Sequence, residues 1–243
     1  MYTLLKKEIS GFFSSLTGYI VIIVFLIINS LFMWVFPGAN NVLDAGYATL
    51  DSLFTISPWV FLFLAPAVTM RMFADEKKSG TIELLLTRPF SDFEIIFAKY
   101  LAGLVLVLFS ILPTLIYFYS VYQLGNPVGN IDTGGTWGSF IGLFFLAAIY
   151  VAIGVLSSSL TENQIVAFII GMLLCFIAYI GFDYLSGLVI FKSIDGFVIN
   201  LGINEHYKSM SRGVIDSRDI IYFVSAIAFF LLITKTILQS RKW

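Results

Sequence analysis

An all-α integral membrane protein is the fold class this sequence predicts, and three observations predict it. Of its 243 residues, 59% are hydrophobic and only 12% are charged. A soluble domain carries about 25% charged residues, so this chain cannot cover a water-facing surface of ordinary polarity. Several apolar runs reach the roughly 18 residues that cross about 30 Å of hydrocarbon as a helix. The polar residues are gathered between those runs, above all in segment 71–100, which holds Arg71, Lys77, Lys78, Arg88 and Lys99.

Taken in order, residues 2–17 predict an amphipathic helix. Leu5, Ile9, Phe12, Phe13 and Leu16 recur at helical spacing, with Lys7, Ser10 and Ser14 on another face, the pattern of a helix resting in the membrane interface. Within 1–18 nothing reads as a cleavable signal: Lys6 and Lys7 lead into a span with no small-residue cleavage site after it. Span 1 is expected at 19–36, ended by Pro37-Gly38. Span 2 is expected at 52–70 with Pro58 and Pro66 inside it, which neighbouring helices make tolerable.

Segment 71–100 divides on its capping signals. Asp75-Glu76-Lys77-Lys78 is a charged run, and Ser79-Gly80-Thr81 breaks it. Gly80 can take positive φ and Thr81 can cap a helix starting after it. That short helix runs to Thr87 and is stopped by Arg88-Pro89, because proline disfavours helix at the residue before it. Ser91 to Glu94 is a capping box with Phe90 and Ile95 as the staple, starting a helix that runs through Lys99 into span 3 at 101–122. The expectation is a lever: a short helix joined by a rigid elbow to one continuous with a span.

Span 4 is expected at 137–160. Its Gly138/Gly142 and Gly154/Ser158 pairs have the small-x-x-x-small spacing that lets helix backbones approach closely. Thr161-Glu162-Asn163-Gln164 reads as a second capping box that turns the chain at once into span 5 at 165–184. Segment 186–218 is too interrupted to cross, and predicts re-entrant or interfacial helices and then a polar stretch. Span 6 is expected at 220–238.

With six spans, one side carries Lys6, Lys7, Arg71, Lys77, Lys78, Arg88, Lys99, Lys235, Arg241 and Lys242, and the other only Lys192, Lys208, Arg212 and Arg218. The positive-inside rule then places both termini in the cytoplasm. Net charge is −1, without the basic footprint of a nucleic-acid partner. Cys175 is alone, which excludes a disulfide framework and a cysteine metal site. His206 is the one histidine and is expected at the surface. No G-x-x-x-x-G-K-[ST], H-E-x-x-H or G-x-S-x-G pattern occurs, so no catalytic or metal residue is expected and the chain reads as no enzyme.

The run 76–89, EKKSGTIELLLTRP, with Lys99 ten residues later, resembles the signature of ABC-2-type permeases: an acidic residue, G-T-x-E-x-L-L, then proline and a lysine before the third span. The likeness extends to the N-terminal helix, the 157–164 turn and the 211–216 segment, and is strongest to the permease subunit of the gliding-motility-associated ABC transporter. It implies a half-transporter permease in the bacterial inner membrane. That permease pairs with a second copy or paralogue and docks on an ABC ATPase subunit that binds the ATP and magnesium; this chain needs no cofactor. The resemblance leaves open an extracytoplasmic accessory subunit.

By position, the family's coupling helix falls on 80–86, with Gly80, Thr81, Ile82, Glu83, Leu84, Leu85 and Pro89. Glu76, Glu83 and Lys99 are the charged residues expected to orient it, and Thr161, Glu162, Asn163 and Gln164 form a second, smaller ATPase contact. Two other classes stand beside this reading. One is a membrane scaffold that anchors an ATPase or motility complex without transport. The other is an ion-coupled carrier or channel, which needs ionisable residues at mid-membrane. Spans 1 to 5 offer only Asp183, near an end.

Overall fold

The computed structural model describes residues 1–86, 91–187, 195–213 and 215–240, the side chains of 84–86 excepted. Among the described residues the chain is all helix and turn, without a strand. Among the described residues, six helices are long and apolar enough to cross a membrane: Leu16–Val35, Asp51–Lys78, Asp92–Leu124, Thr133–Leu160, Gln164–Ser186 and Ser217–Ser240. They are spans 1 to 6 in chain order.

Helix α1 (Tyr2–Ser14) precedes them and packs along span 3. It is shorter than the 2–17 periodicity suggests. Ser15 is extended and Leu16 already opens span 1, so Leu16 lies exposed rather than on the inward face. Span 1 is α2 (Leu16–Ser30) closed by one π-helical turn, Leu31–Val35. A short α3 (Val42–Ala45) comes next, capped by Asn41.

Span 2 is α4 (Asp51–Thr69) and α5 (Arg71–Lys78), separated at Met70. The charged run 75–78 is thus not a loop but the last turns of this helix. Met72, Phe73, Ala74 and Lys77 are buried against the neighbouring spans, and that packing outweighs the run's polarity. Helix α6 (Thr81–Leu86) succeeds it. Span 3 is α7 (Asp92–Ile111), a 3-10 turn at Leu112–Thr114 where Pro113 interrupts the ladder, and α8 (Leu115–Leu124).

Span 4, α9 (Thr133–Leu160), is the centre of the bundle and touches spans 2, 3, 5 and 6. Its small residues face specific partners. A Cβ on Gly138 would come within 2.8 Å of the Gly213 backbone, and one on Gly142 within 2.9 Å of Met210. Gly154 abuts Thr69 of span 2. Both small-residue pairs therefore pack inside this chain.

Span 5 is α10 (Gln164–Phe176), a π-helical stretch at Ile177–Gly181 and α11 (Phe182–Ser186). Helices α12 (Asp195–Ile199) and α13 (Ile203–Ser211) occupy the connection to span 6, α14 (Ser217–Ser240). Part of the interfacial segment expected at 186–218 lies outside the described residues; the described part is these short helices. Helix α13 is pinned across the bundle end by the Tyr207 hydroxyl, which donates to the Phe54 carbonyl at 2.6 Å.

Candidate functional site: a charged joint at one end of the bundle

Lys99 lies two turns into α7, which begins at the predicted capping box: the Glu94 amide donates to Ser91 Oγ at 3.3 Å, and Glu94 Oε2 accepts from the Ser91 amide at 2.9 Å. That fixed start sets the rotation of α7 and turns Lys99 inward. Only 1% of Lys99 is exposed. Its ammonium donates to Glu76 Oε1 at 2.8 Å, Glu8 Oε1 at 3.0 Å and the Met72 carbonyl at 2.7 Å. An ammonium has three N–H groups, so its donor capacity is filled. The Phe73 ring lies 5.2 Å away, within cation–π reach. Lys7 joins from the exposed side, 3.5 Å from Glu8 and 3.6 Å from Glu76.

Two lysines and two glutamates make this cluster neutral. A buried charge is tolerable only when paired and hydrogen-bonded. Helices α1, α5 and α7 therefore cannot separate without stranding Lys99, and the three move as one body. Sequence reasoning singled out Glu76 and Lys99 as charges that orient the segment toward a partner. The structure turns both inward and adds Glu8. The overlooked signal was a carboxylate four residues after Leu4, on the face that packs against α7.

The polar island continues from this joint. The Ser79 and Gly80 amides close α5 by donating to the Asp75 and Lys77 carbonyls at 2.9 and 3.1 Å. Gly80 sits at φ +70°, left-handed as expected, and any side chain there is strained. The Thr81 hydroxyl, expected to cap α6, turns back instead, 2.8 Å from Ser79 Oγ and 3.4 Å from the Glu76 carbonyl. Glu83 is exposed and Ile82 half-buried against the core. The Leu84 and Leu85 side chains, and all of Pro89 with the Arg88-Pro89 elbow, lie outside the described residues.

The 161–164 turn sits at the same end but not as a Thr–Gln capping box. Asn163 is the cap, its Oδ1 accepting from the Ile165 amide at 2.9 Å, and Thr161 Oγ1 accepts from the Asn163 amide at 3.2 Å. An asparagine two residues before an amide closes a tighter ring than the box. Gln164 is thereby freed to donate to Asp75 Oδ1, a carboxylate acceptor on α5. Lys77 donates to the Ser159 carbonyl beside it. Glu162 stays exposed. Both segments expected to meet a partner are thus tied to α5.

The opposite end has its own polar lock, and it corrects the expectation of a surface histidine. His206 is half-buried and stacks on Tyr222 at 3.8 Å. Its Nδ1 lies 2.7 Å from Asp219 Oδ1 and its Nε2 2.9 Å from the Asn200 carbonyl. The ring thus ties the Asn200 backbone to the start of α14. Asp219 is 6% exposed, and its other oxygen has no hydrogen-bond partner among the described residues. Replacing His206 with alanine strands that carboxylate. The expected loss is about 3 kcal/mol, the low end for breaking a buried pair, read by detergent unfolding; an unchanged midpoint would remove His206 as the lock.

Six apolar helices with both polar locks at their ends define a multi-pass membrane protein. Residues 56–211, more than half of the chain, match the family described as ABC-2 family transporter protein. The chain belongs to that family, and so is a membrane component of an ABC transporter. The matched stretch starts inside span 2 and ends at α13, so it contains Glu76 and Lys99 but not Glu8. A search of the curated proteins gave no match.

Proposed function

We propose that this chain is the permease half of an ATP-driven transporter whose ATPase is a separate subunit, and that α6 is the helix on which that subunit docks. The observation that carries the reading is the Lys99 joint. It makes a rigid base of α1, α5 and α7, and α6 projects from that base through a two-residue turn. Force on α6 is then delivered to α5 and to span 3 together. Glu83, exposed on α6, and Glu162, exposed on the 161–164 turn, are acidic contacts offered to the ATPase.

ATP binding draws the two ATPases together, and the joint passes that motion to the spans. The transmitted energy cannot exceed the difference in ATPase affinity between the two states. The cytoplasm is the side of α6 and of both termini, and the membrane is the bacterial inner membrane. Apolar 18-residue stretches of spans 5 and 6 are only 22% and 17% buried within this chain, which supports a second permease copy against part of that surface and lipid against the rest. The likeness of the sequence to gliding-motility permeases supports a role in that machinery.

Co-purification with the cognate ABC ATPase tests the docking. Glu83→Lys reverses an exposed charge without touching the core, and is expected to weaken association at least tenfold, about 1.4 kcal/mol, while membrane insertion is unchanged. An intact complex with this variant at wild-type yield would remove α6 from the docking surface.

A further inference from the structure

Three consecutive serines, Ser157, Ser158 and Ser159, close span 4, and all are fully buried. Ser157 and Ser159 bond back to their own helix, donating to the Gly154 carbonyl at 2.9 Å and the Leu156 carbonyl at 2.7 Å. Ser158 does not. Its hydroxyl donates to the Met70 carbonyl at 3.0 Å and accepts from the Phe73 amide at 2.9 Å and the Ala74 amide at 3.2 Å. One donor and two lone pairs are all a serine hydroxyl has, and all three go to the backbone of span 2 at the point where that helix is interrupted.

The interruption has local causes. Pro66 has no amide to give the Leu62 carbonyl, and the Thr69 hydroxyl donates to the Ala65 and Pro66 carbonyls at 2.9 and 3.3 Å. Such back-bonding bends helices. The Met70 amide, at 2.8 Å from the Pro66 carbonyl, ends the first segment. Beyond it the ladder is carried by Ser158. Phe73 and Ala74 are fully buried, so water does not reach those amides in the folded protein.

We infer that Ser158 is the positioning residue of a hinge at Met70. It holds the amides of Phe73 and Ala74 so that α5, with the Glu76–Lys99 joint and α6, pivots on α4 between two defined backbone pairings. In one, Phe73 and Ala74 bond Ser158; in the other they bond carbonyls of their own helix and span 2 straightens. Thr69 marks the fixed side, seated against Gly154 and facing Gly103, where a side chain on either glycine would collide with its neighbours. The use of this hinge in transport rests on the proposed permease function; its existence does not, and it can be tested on the permease alone.

The test uses the full chain in lipid nanodiscs with no ATPase. Amide exchange is resolved at Phe73 and Ala74, and spin labels at Trp59 and Lys78, both exposed, report the distance across Met70. Cys175 is buried and does not compete for label. Ser158→Ala is expected to speed exchange at both amides about tenfold, the worth of one buried hydrogen bond, and to broaden the distance distribution. Ser157→Ala and Ser159→Ala, equal in size and burial, are expected to leave both readouts at wild type. Equal effects of all three alanines, or none from Ser158→Ala, would overturn the hinge. If Ser158→Ala does not yield folded protein, Ser158→Thr keeps the hydroxyl and must restore wild-type exchange; failure there also overturns it.

Discussion

Lys99→Ala is expected to be the most damaging single substitution in the half of the molecule that carries α6. It leaves the Glu8 and Glu76 carboxylates facing each other without the ammonium that both now accept from. It also removes a donor from the Met72 carbonyl and empties a fully buried site. Breaking a buried ion pair by removing one partner costs about 3–5 kcal/mol. Glu8 and Glu76 keep 13% and 14% side-chain exposure, so water and Lys7 relieve part of the repulsion and the lower end applies. Detergent-titrated unfolding measures the loss. Limited proteolysis in α1 should rise in parallel, because Glu8 is the polar tether of that helix to span 3. Glu8→Gln keeps a hydrogen-bond acceptor and should cost less than half as much. A Lys99→Ala protein within about 1 kcal/mol of wild type, with α1 still protected, would mean that the joint does not hold the three helices.

The second large effect is expected at Gly138. Its missing side chain is the space taken by backbone: Gly213 Cα at 2.8 Å and the Met210 carbonyl at 3.1 Å from where a Cβ would stand. Backbone cannot rotate away as a side-chain tip can. Gly213 is itself at φ +81° and packs on Gly135, so the turn after α13 is clamped from both sides. Gly138→Val must push α13 off span 4 and pull Tyr207 from the Phe54 carbonyl. Overpacking costs about 1–3 kcal/mol, and the lost buried hydrogen bond about 1 kcal/mol more. The change should appear as a lower unfolding midpoint and faster exchange in 203–211. Gly11→Val, where a Cβ meets nothing within 4 Å, is the matched control and should change stability only by the small gain in helix propensity of valine over glycine.

How far the sequence could be read depends on which physics governs each part. The helices were legible because apolar length is a property of single segments, and so was the Ser91–Glu94 start, a local rule satisfied within four residues. The Thr161–Gln164 box failed because Asn163 caps the helix instead and Asp75, 89 positions away, accepts from the Gln164 side chain. The extension of span 2 to Lys78 was hidden for the same reason: charged residues read as loop until partners from α1, span 3 and span 4 neutralise them. Glu8 looked like one more polar residue on a surface helix, and only the crossing of α1 over α7 makes it a ligand of Lys99. His206 likewise acquires its role from Asp219 and Asn200, neither adjacent in a pattern that periodicity can detect. The glycine pairs showed that something packs closely, but not what.

The central position of span 4 bears on how the chain is made. Apolar 18-residue stretches of the six spanning helices differ little in mean hydropathy, from 1.8 to 2.7, yet the stretch in span 4 is 83% buried within the protein against 17% for that in span 6. Lipid tails are as apolar as leucine, so apolarity does not select the inner helix; small residues that admit close contact do. Spans 1 to 3 leave the ribosome before that helix exists. They can close the Glu8–Lys99–Glu76 cluster among themselves at once, because all three residues precede residue 100. Span 2 cannot take the pairing in which Ser158 accepts from the Phe73 and Ala74 amides until Ser158 has been synthesised. Biogenesis therefore has a midpoint: a nascent chain short of span 4 is inserted and electrically neutral at its joint, with span 2 confined to its straight pairing.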